Sequence, residues 1–384
     1  MINYINLGML CNKITDGTHH TPTYTESGIP FLRVTDITES NQSKKFISKE
    51  EHLELIQRCN PEKGDILYTK NGTIGVAKKI TWDYDFSIFV SLCLLKPNTN
   101  LVHTEYLVHY LNTKLALNQA LSHTKTGTIS NLHLIEIKKI KIPLPPLEQQ
   151  KKIAEILDNA DTYRQKTKAL IAKYDELTQS LFLDMFGDPV RNEKGWDKAE
   201  LESCLQKVEK IGKTYFATKI EYIDIASVDN IRNIIKETTT YQTSEKPSRA
   251  QQILFAGDIL FSTVRPNLKN IAINNLDGRI GSTGFCVCRV NPKKLNNLFL
   301  HKVLLSDSVT DYFVSITSGA NYPAIKSSEM KKFQVIKPSI SLQNQFAERV
   351  QTIELQKAQA QVSLEKAEEL FNSLLQRAFK GELV

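Results

Sequence analysis

The chain repeats itself. A shift of 193 positions (257 − 64) lays Gly64-Asp65-Ile66-Leu67 on Gly257-Asp258-Ile259-Leu260, Gln150 on Gln343, Ala154 on Ala347 and Phe186 on Phe379, with no gap. Asp175-Glu176-Leu177 falls on Glu368-Glu369-Leu370, and Ser180-Leu181 on Ser373-Leu374. The shift is about half of the 384 residues, so one unit has been duplicated end to end. Such a chain must adopt an architecture that can be built twice. It can carry within itself the two-fold that a single copy reaches only by dimerising. A reader of a target in two unlike parts gains from that arrangement.

Each copy divides in the same way, into a strand-rich part and a long helix. The expected boundaries are 1–142, 143–188, 189–337 and 338–384. In the first strand-rich part, short apolar runs (Ile29–Val34, Asp65–Tyr68, Phe86–Leu95) are punctuated by turns at Gly64-Asp65 and Asn71-Gly72, and a helix is expected over His103–Leu121. The second repeats the order with Tyr222–Ala226, Asp258–Phe261, Gly284–Val290 and a helix over Leu298–Ser315.

Pro143, Pro145 and Pro146 lead stiffly into the first long helix, expected over Leu147–Phe186 and stopped by Gly187-Asp188-Pro189. Its apolar residues Ile153, Ile156, Ala160, Tyr163, Leu170, Tyr174, Leu177 and Leu181 step by three and four, interrupted only at Thr167. That is a heptad seam. After Pro338 the second helix shows Phe346, Val350, Ile353, Ala360, Leu364, Ala367, Leu370 and Leu374. Each helix is roughly 58 Å long at about 1.5 Å per residue. Two such helices in one chain, each leaving a strand-rich domain, are expected to pair antiparallel with each other, because the tether gives a high effective concentration. The competing arrangement is two independent helices, each pairing with another chain. The expected fold class is α+β: two mixed α/β domains separated by two long antiparallel coiled-coil helices, with an internal pseudo-two-fold repeat.

Composition fits globular domains, with 41% hydrophobic and 24% charged residues. A net charge of +7 suits a polyanionic partner without requiring one. Cys11, Cys59, Cys93, Cys204, Cys286 and Cys288 form no C-x-x-C pair and no disulfide framework, which points to the reducing cytoplasm. No apolar run approaches a membrane span, so no membrane partner is expected.

Catalytic signatures are missing. Gly212-Lys213-Thr214 lacks the glycine of a phosphate loop, since Lys207 stands where it is needed. No H-E-x-x-H, G-x-S-x-G or strand-linked G-x-G-x-x-G occurs. Adjacent His19-His20 cannot easily share one ion, and no metal site is expected. Asp65 and Asp258, each after Gly, read as turn residues.

The polar loops are the candidate reading surface; the alternative is that they are ordinary solvated loops. In the first copy they offer Thr18, His19 and His20, then Lys70 and Asn71, then Lys125, Thr126, Ser130 and Asn131. In the second they offer Thr263, Arg265, Asn267 and Lys269, then Ser318, Asn321, Tyr322 and Lys326. Arg and Lys suit guanine O6 and N7, Asn suits adenine N6 and N7, and glycines let backbone N–H groups approach phosphate. The loops recur at equivalent places yet differ in sequence, as expected of one scaffold reading two DNA sequences.

Together these features resemble the specificity (S) subunit of type I restriction-modification systems. The residues carrying the resemblance are Ile142-Pro143-Leu144-Pro145-Pro146-Leu147-Glu148-Gln149-Gln150, Leu181–Pro189, Leu342–Ala347, Asp16–His19 and Gly257–Pro266, and it spans essentially the whole chain. The resemblance implies a non-catalytic DNA-recognition subunit with two target recognition domains, each reading one half of a bipartite asymmetric site in double-stranded DNA. It implies helices that set the spacing. Two methyltransferase (M) subunits would carry S-adenosylmethionine, and a restriction (R) subunit would use ATP, so no cofactor is expected in this chain. Two rival classes remain: a coiled-coil scaffold joining two protein-binding modules, and a nuclease or methyltransferase fragment.

Overall fold

A computed structural model describes residues 3–38, 43–122, 131–212, 217–319 and 323–383 with side chains, and residues 39–40 by backbone alone. Two compact units emerge, Met1–Lys168 with Gln361–Val384 and Ala169–Ala360. Each long helix, Leu147–Phe186 and Ile340–Lys380, is continuous and contributes one half to each unit.

In the first unit, an antiparallel sheet runs in the order Cys11–Asp16, Leu92–Pro97, Ile66–Thr69, Ala77–Lys79. A second sheet places Ile29–Leu32 between Phe46–Ile47 and a parallel partner, Ser87–Ile88. The apolar run Phe86–Leu95 is therefore two strands in two sheets, divided by a turn at 89–91. Helices Thr104–Leu111 and Lys114–Ser122 replace the single helix expected over His103–Leu121. The break has a local cause. Asn112 turns its side chain to the backbone of Ala77, accepting from its N–H and donating to its C=O at 2.9 Å each, and the Thr113 hydroxyl caps the next helix at Ala116 N.

The second unit repeats these elements at the offset seen in the sequence. Ile259–Ser262, Asp307–Ser315, Ser327–Met330 and Gln334–Ile336 lie 193 residues beyond Ile66–Thr69, Lys114–Ser122, Leu134–Ile137 and Lys141–Pro143. The parallel pairing also recurs, between Lys219–Ile223 and Ile280–Ser282.

Individual hydrogen bonds were copied too. Buried Gln150 accepts from His103 N at 2.8 Å and donates to Pro145 O at 2.8 Å. Buried Gln343 accepts from Asn296 N at 2.9 Å and donates to Pro338 O at 2.8 Å. Asp65 accepts from Glu62 N and pairs with Lys96 at 2.7 Å; Asp258 accepts from Phe255 N and pairs with Arg289 at 2.8 Å. Both aspartates are thus turn residues anchored by a cation.

Within each unit the helix halves run antiparallel. In the first, Ile153 and Leu157 share a core with Phe371, Ala378 and Phe379, and Lys168 pairs with Glu368 at 2.9 Å. In the second, Phe182 and Phe186 pack on Phe299, Phe346 and Val350, with the Phe186 and Phe299 rings 4.8 Å apart, and Lys357 pairs with Asp175. Gly187, at φ 72°, ends the first helix by donating to Leu183 O at 2.8 Å.

The pairing face differs from the expected seam. Ile153, Phe346, Val350, Ala360, Leu364 and Ala367 are buried, and Ile156, Ala160, Tyr174, Leu181, Ile353 and Leu374 are half-buried. Tyr163, Leu170, Leu177 and Leu370 are exposed and lie outside it. Arg164, Thr167, Ile171, Thr178 and Phe371 occupy the face instead. An apolar-only reading passes over such positions. The Thr167 and Thr178 hydroxyls are satisfied by the carbonyls of Tyr163 and Tyr174, at 2.8 and 3.0 Å, and Arg164 lies 4.4 Å over the Phe371 ring.

Candidate nucleic-acid interface

In the first unit the strand Cys11–Asp16 ends in a buried carboxylate. Asp16 Oδ1 accepts from Arg58 Nη2 at 2.5 Å and lies 3.4 Å from His19 Nε2, while Oδ2 is 3.3 Å from Lys70 Nζ. The Asp16 and Lys70 side chains are each 5% exposed; that of Arg58 is 57% exposed. Gly17 follows because the chain passes against the next sheet: a Cβ there would sit 2.0 Å from Ile88 O. Thr18 is buried and binds Ile88 O and Val90 N through its backbone, leaving His19 and His20 exposed.

Lys70 holds two further segments. Its N–H donates to Ser91 O at 3.0 Å, and its carbonyl accepts from Leu132 N at 2.9 Å. Asn71 bridges to Asn131. The loops at 18–20, 70–71 and 131 are therefore gathered at one place, with Arg58 arriving from the end of helix Lys49–Arg58. Lys70 is a buried member of this cluster rather than a displayed one. Lys125, Thr126 and Ser130 lie outside the described residues.

The second unit uses the same frame. Thr263 N donates to Gly284 O at 3.0 Å and Thr263 O accepts from Ile325 N at 2.9 Å, the bonds of Lys70 moved by 193 positions. Buried Thr263 directs its hydroxyl to Gly284 O, where the first copy has the Lys70 ammonium. Arg265 adopts a left-handed φ of 50° and donates its N–H to Pro323 O at 2.7 Å. Arg265, Asn267, Ser318 and Lys326 are exposed, and Ser318 exchanges backbone bonds with Ala324. Lys269 is half-buried, donating to Leu305 O at 3.0 Å and pairing with Asp307 at 2.5 Å. Asn321 and Tyr322 lie outside the described residues.

Two neighbours escaped the sequence reading. Arg58 lies on an ordinary amphipathic helix, 42 residues from Asp16, and no local motif marks it. The turn after Val228–Asp229 presents Arg232 and an 89% exposed Ile231. Asn230 and Asn233 tie it to the 263–269 loop through the carbonyls of Leu268 and Lys269. Among the described residues no group of His, Cys, Asp and Glu is arranged to hold a metal, and no helix is long and apolar enough to cross a membrane.

A duplicated α+β scaffold with divergent polar loops on a shared frame is the class that known proteins then specify. Residues 3–175 match the family model for the type I restriction modification DNA specificity domain. The chain is 22% identical over 357 residues to the type I restriction enzyme EcoDI specificity subunit of Escherichia coli, covering 83% of this chain and 78% of that one. It is 23% identical over 365 residues to the EcoKI specificity subunit of E. coli K12, covering 85% and 76%. The crystal structure of the type I restriction-modification S subunit from M. genitalium shares the fold, with a TM-score of 0.61 at 16% identity, covering 98% of this chain and 96% of that one. The resemblance read from the sequence is borne out: this chain is similar to the specificity subunits of type I restriction enzymes.

Proposed function

We propose that this chain is the non-catalytic DNA-reading subunit of a type I restriction-modification complex. The domains 1–142 and 189–337 each read one half of a bipartite, asymmetric duplex site. The helical regions 143–188 and 338–384 set the gap between the halves and dock two methyltransferase subunits. Those subunits bind S-adenosylmethionine, and a restriction subunit supplies ATP-driven translocation and cleavage. The observation that carries this reading is the pair of equivalent loop clusters, held by the same backbone bonds around Lys70 and Thr263 and differing in the side chains they offer. A frame copied with its hydrogen bonds, bearing unlike donors and acceptors, suits one reader used for two sequences.

The docking role draws support from the exposed apolar residues of the long helices. Tyr163, Leu170 and Leu177 recur every seven residues on one helix, and Leu355, Val362 and Leu370 form a similar series on the other. These stripes are spare to the helix pairing and suit burial by a partner.

Spacing is tested by inserting four residues in each helix, between Lys168 and Ala169 and between Ala360 and Gln361. The insertion adds about 6 Å and nearly preserves the facing of each helix. Methylome mapping of a host expressing the altered complex should show the gap lengthened by about two base pairs, at about 3.4 Å each, with both half-site sequences unchanged. An active variant that keeps the original gap removes the ruler from the account.

A further inference from the structure

We infer that Arg58 is a base-reading residue of the first domain, directed at guanine, and that Asp16 is the positioning residue that aims it. This rests on the first domain being a DNA reader and adds a residue to that reading. Three observations converge. The Arg58 side chain is more than half exposed, so its guanidinium can meet a ligand, whereas its partner Asp16 is buried. One Nη is fixed on Asp16 Oδ1 at 2.5 Å, which leaves other N–H groups of the planar fork unspent. Asp16 is itself locked, because its second oxygen faces the buried Lys70 ammonium at 3.3 Å and its backbone leads into the close approach at Gly17.

A carboxylate gripping one end of an arginine fork orients the other end before DNA arrives. That lowers the entropy lost on binding and fixes the plane in which the remaining N–H groups point. Two parallel donors in a fixed plane match O6 and N7 of guanine in the major groove. A fork held in one plane suits a base edge, whereas a phosphate contact depends more on net charge than on direction. The setting agrees. Exposed His19 stands 3.5 Å from Arg58 Nη2, and Lys13 Nζ binds the Arg58 carbonyl at 2.7 Å, anchoring the helix end that carries the fork.

The test uses the full chain assembled with its methyltransferase subunits, carrying Arg58→Lys, Arg58→Ala or Asp16→Asn. Methylome mapping first defines the target. Competition binding then uses duplexes in which each base pair of the target is replaced in turn. Arg58→Lys keeps the charge and loses the fork. Both it and Arg58→Ala should lower discrimination at one G·C pair, in one half-site only, by about 10- to 100-fold. Asp16→Asn should erode discrimination at that same pair while leaving affinity for non-target DNA equal or higher, an outcome that general unfolding of the domain does not produce. The inference is overturned if Arg58→Lys discriminates like the parent at every pair while Arg58→Ala weakens all duplexes alike with a shallower salt dependence. Arg58 would then be a phosphate contact, and the domain would still be a reader. A separate control replaces residues 1–142 with the corresponding domain of a relative. If neither half-site changes, the underlying assignment of reading to this domain fails, and the Arg58 inference falls with it.

Discussion

The two domains share a skeleton and differ in how they hold their loops. In the first, the side chains of His19, Arg58 and Lys70 converge on one buried carboxylate, Asp16. In the second, Thr263 stands at the position of Lys70 and turns a neutral hydroxyl to Gly284 O, and the following loop turns through left-handed residues at Arg265 and Lys269. Backbone bonds that set the frame are the same in both, and so are the Gln150 and Gln343 clamps. The contrast teaches that duplication preserved what fixes the loops in space and released what the loops display. The displayed side chains can then change without redesign of the scaffold.

The largest expected break in this symmetry concerns the Gly-Asp turns. Asp258 is 2% exposed and grips Arg289 with both oxygens, at 2.8 and 2.9 Å. Asp65 is 12% exposed and pairs with a more accessible Lys96. Asp258→Ala should destabilise the second unit by about 2–3 kcal/mol, because it removes from a buried turn both the two-point pair with Arg289 and the acceptor of Phe255 N–H. Asp65→Ala should cost the first unit about 1–2 kcal/mol, since water can reach Lys96. Hydrogen exchange resolved by domain separates the two; equal losses would contradict the burial difference.

A smaller asymmetry lies in DNA binding. Arg265→Ala should weaken one half-site by about 1–3 kcal/mol if its fork meets a base, with the other half unaffected in single-substitution competition. Lys70→Ala should act on the first half indirectly, by freeing Asp16 in its buried site, and should lower the stability of the first unit as well.

At neutral pH the smallest effect comes from His301, whose contribution is felt only on acidification. His301 is buried where the first copy has Val108. Burial, then the neighbouring Lys302 charge, pushes its pKa from 6.5 down to about 3. Between those values the unfolded chain binds a proton that the folded chain does not. His301 therefore makes stability fall as pH drops below about 6.5, by up to about 1.4 kcal/mol per pH unit. His301→Val, which restores the first copy's residue, should flatten the acid limb of the second unit in denaturation followed against pH. An unchanged slope would mean that His301 is not the group responsible.

Much of this was legible in the sequence because duplication leaves marks that need no structure. Gly64-Asp65 against Gly257-Asp258, and Gln150 against Gln343, fixed the offset at which strands, helices and hydrogen bonds recur. Both long helices and the glycine stop at Gly187 followed from local chemistry. The pairing face was less legible. Thr167 read as an interruption and Thr178 was passed over, whereas their hydroxyls bond within the helix, and Tyr163, Leu170, Leu177 and Leu370 kept the seam's period without its facing. Within the interface, loop composition pointed to Arg265 and Asn267, which are displayed, but could not reveal that Lys70 is buried or that Arg58 meets Asp16. Those facts depend on contacts between residues far apart in the chain, which periodicity does not carry.

The central claim, one reader used twice, is tested most directly by making the two readers identical. Residues 4–143 would be grafted in place of residues 197–336, their equivalents at the shift of 193 positions, with both long helices retained. Methylome mapping of a host expressing the graft with its methyltransferase subunits gives the result. The account predicts that both halves of the methylated site carry the sequence that the first domain reads, at the parent's spacing. A methylated site that keeps the second domain's half unchanged would contradict it.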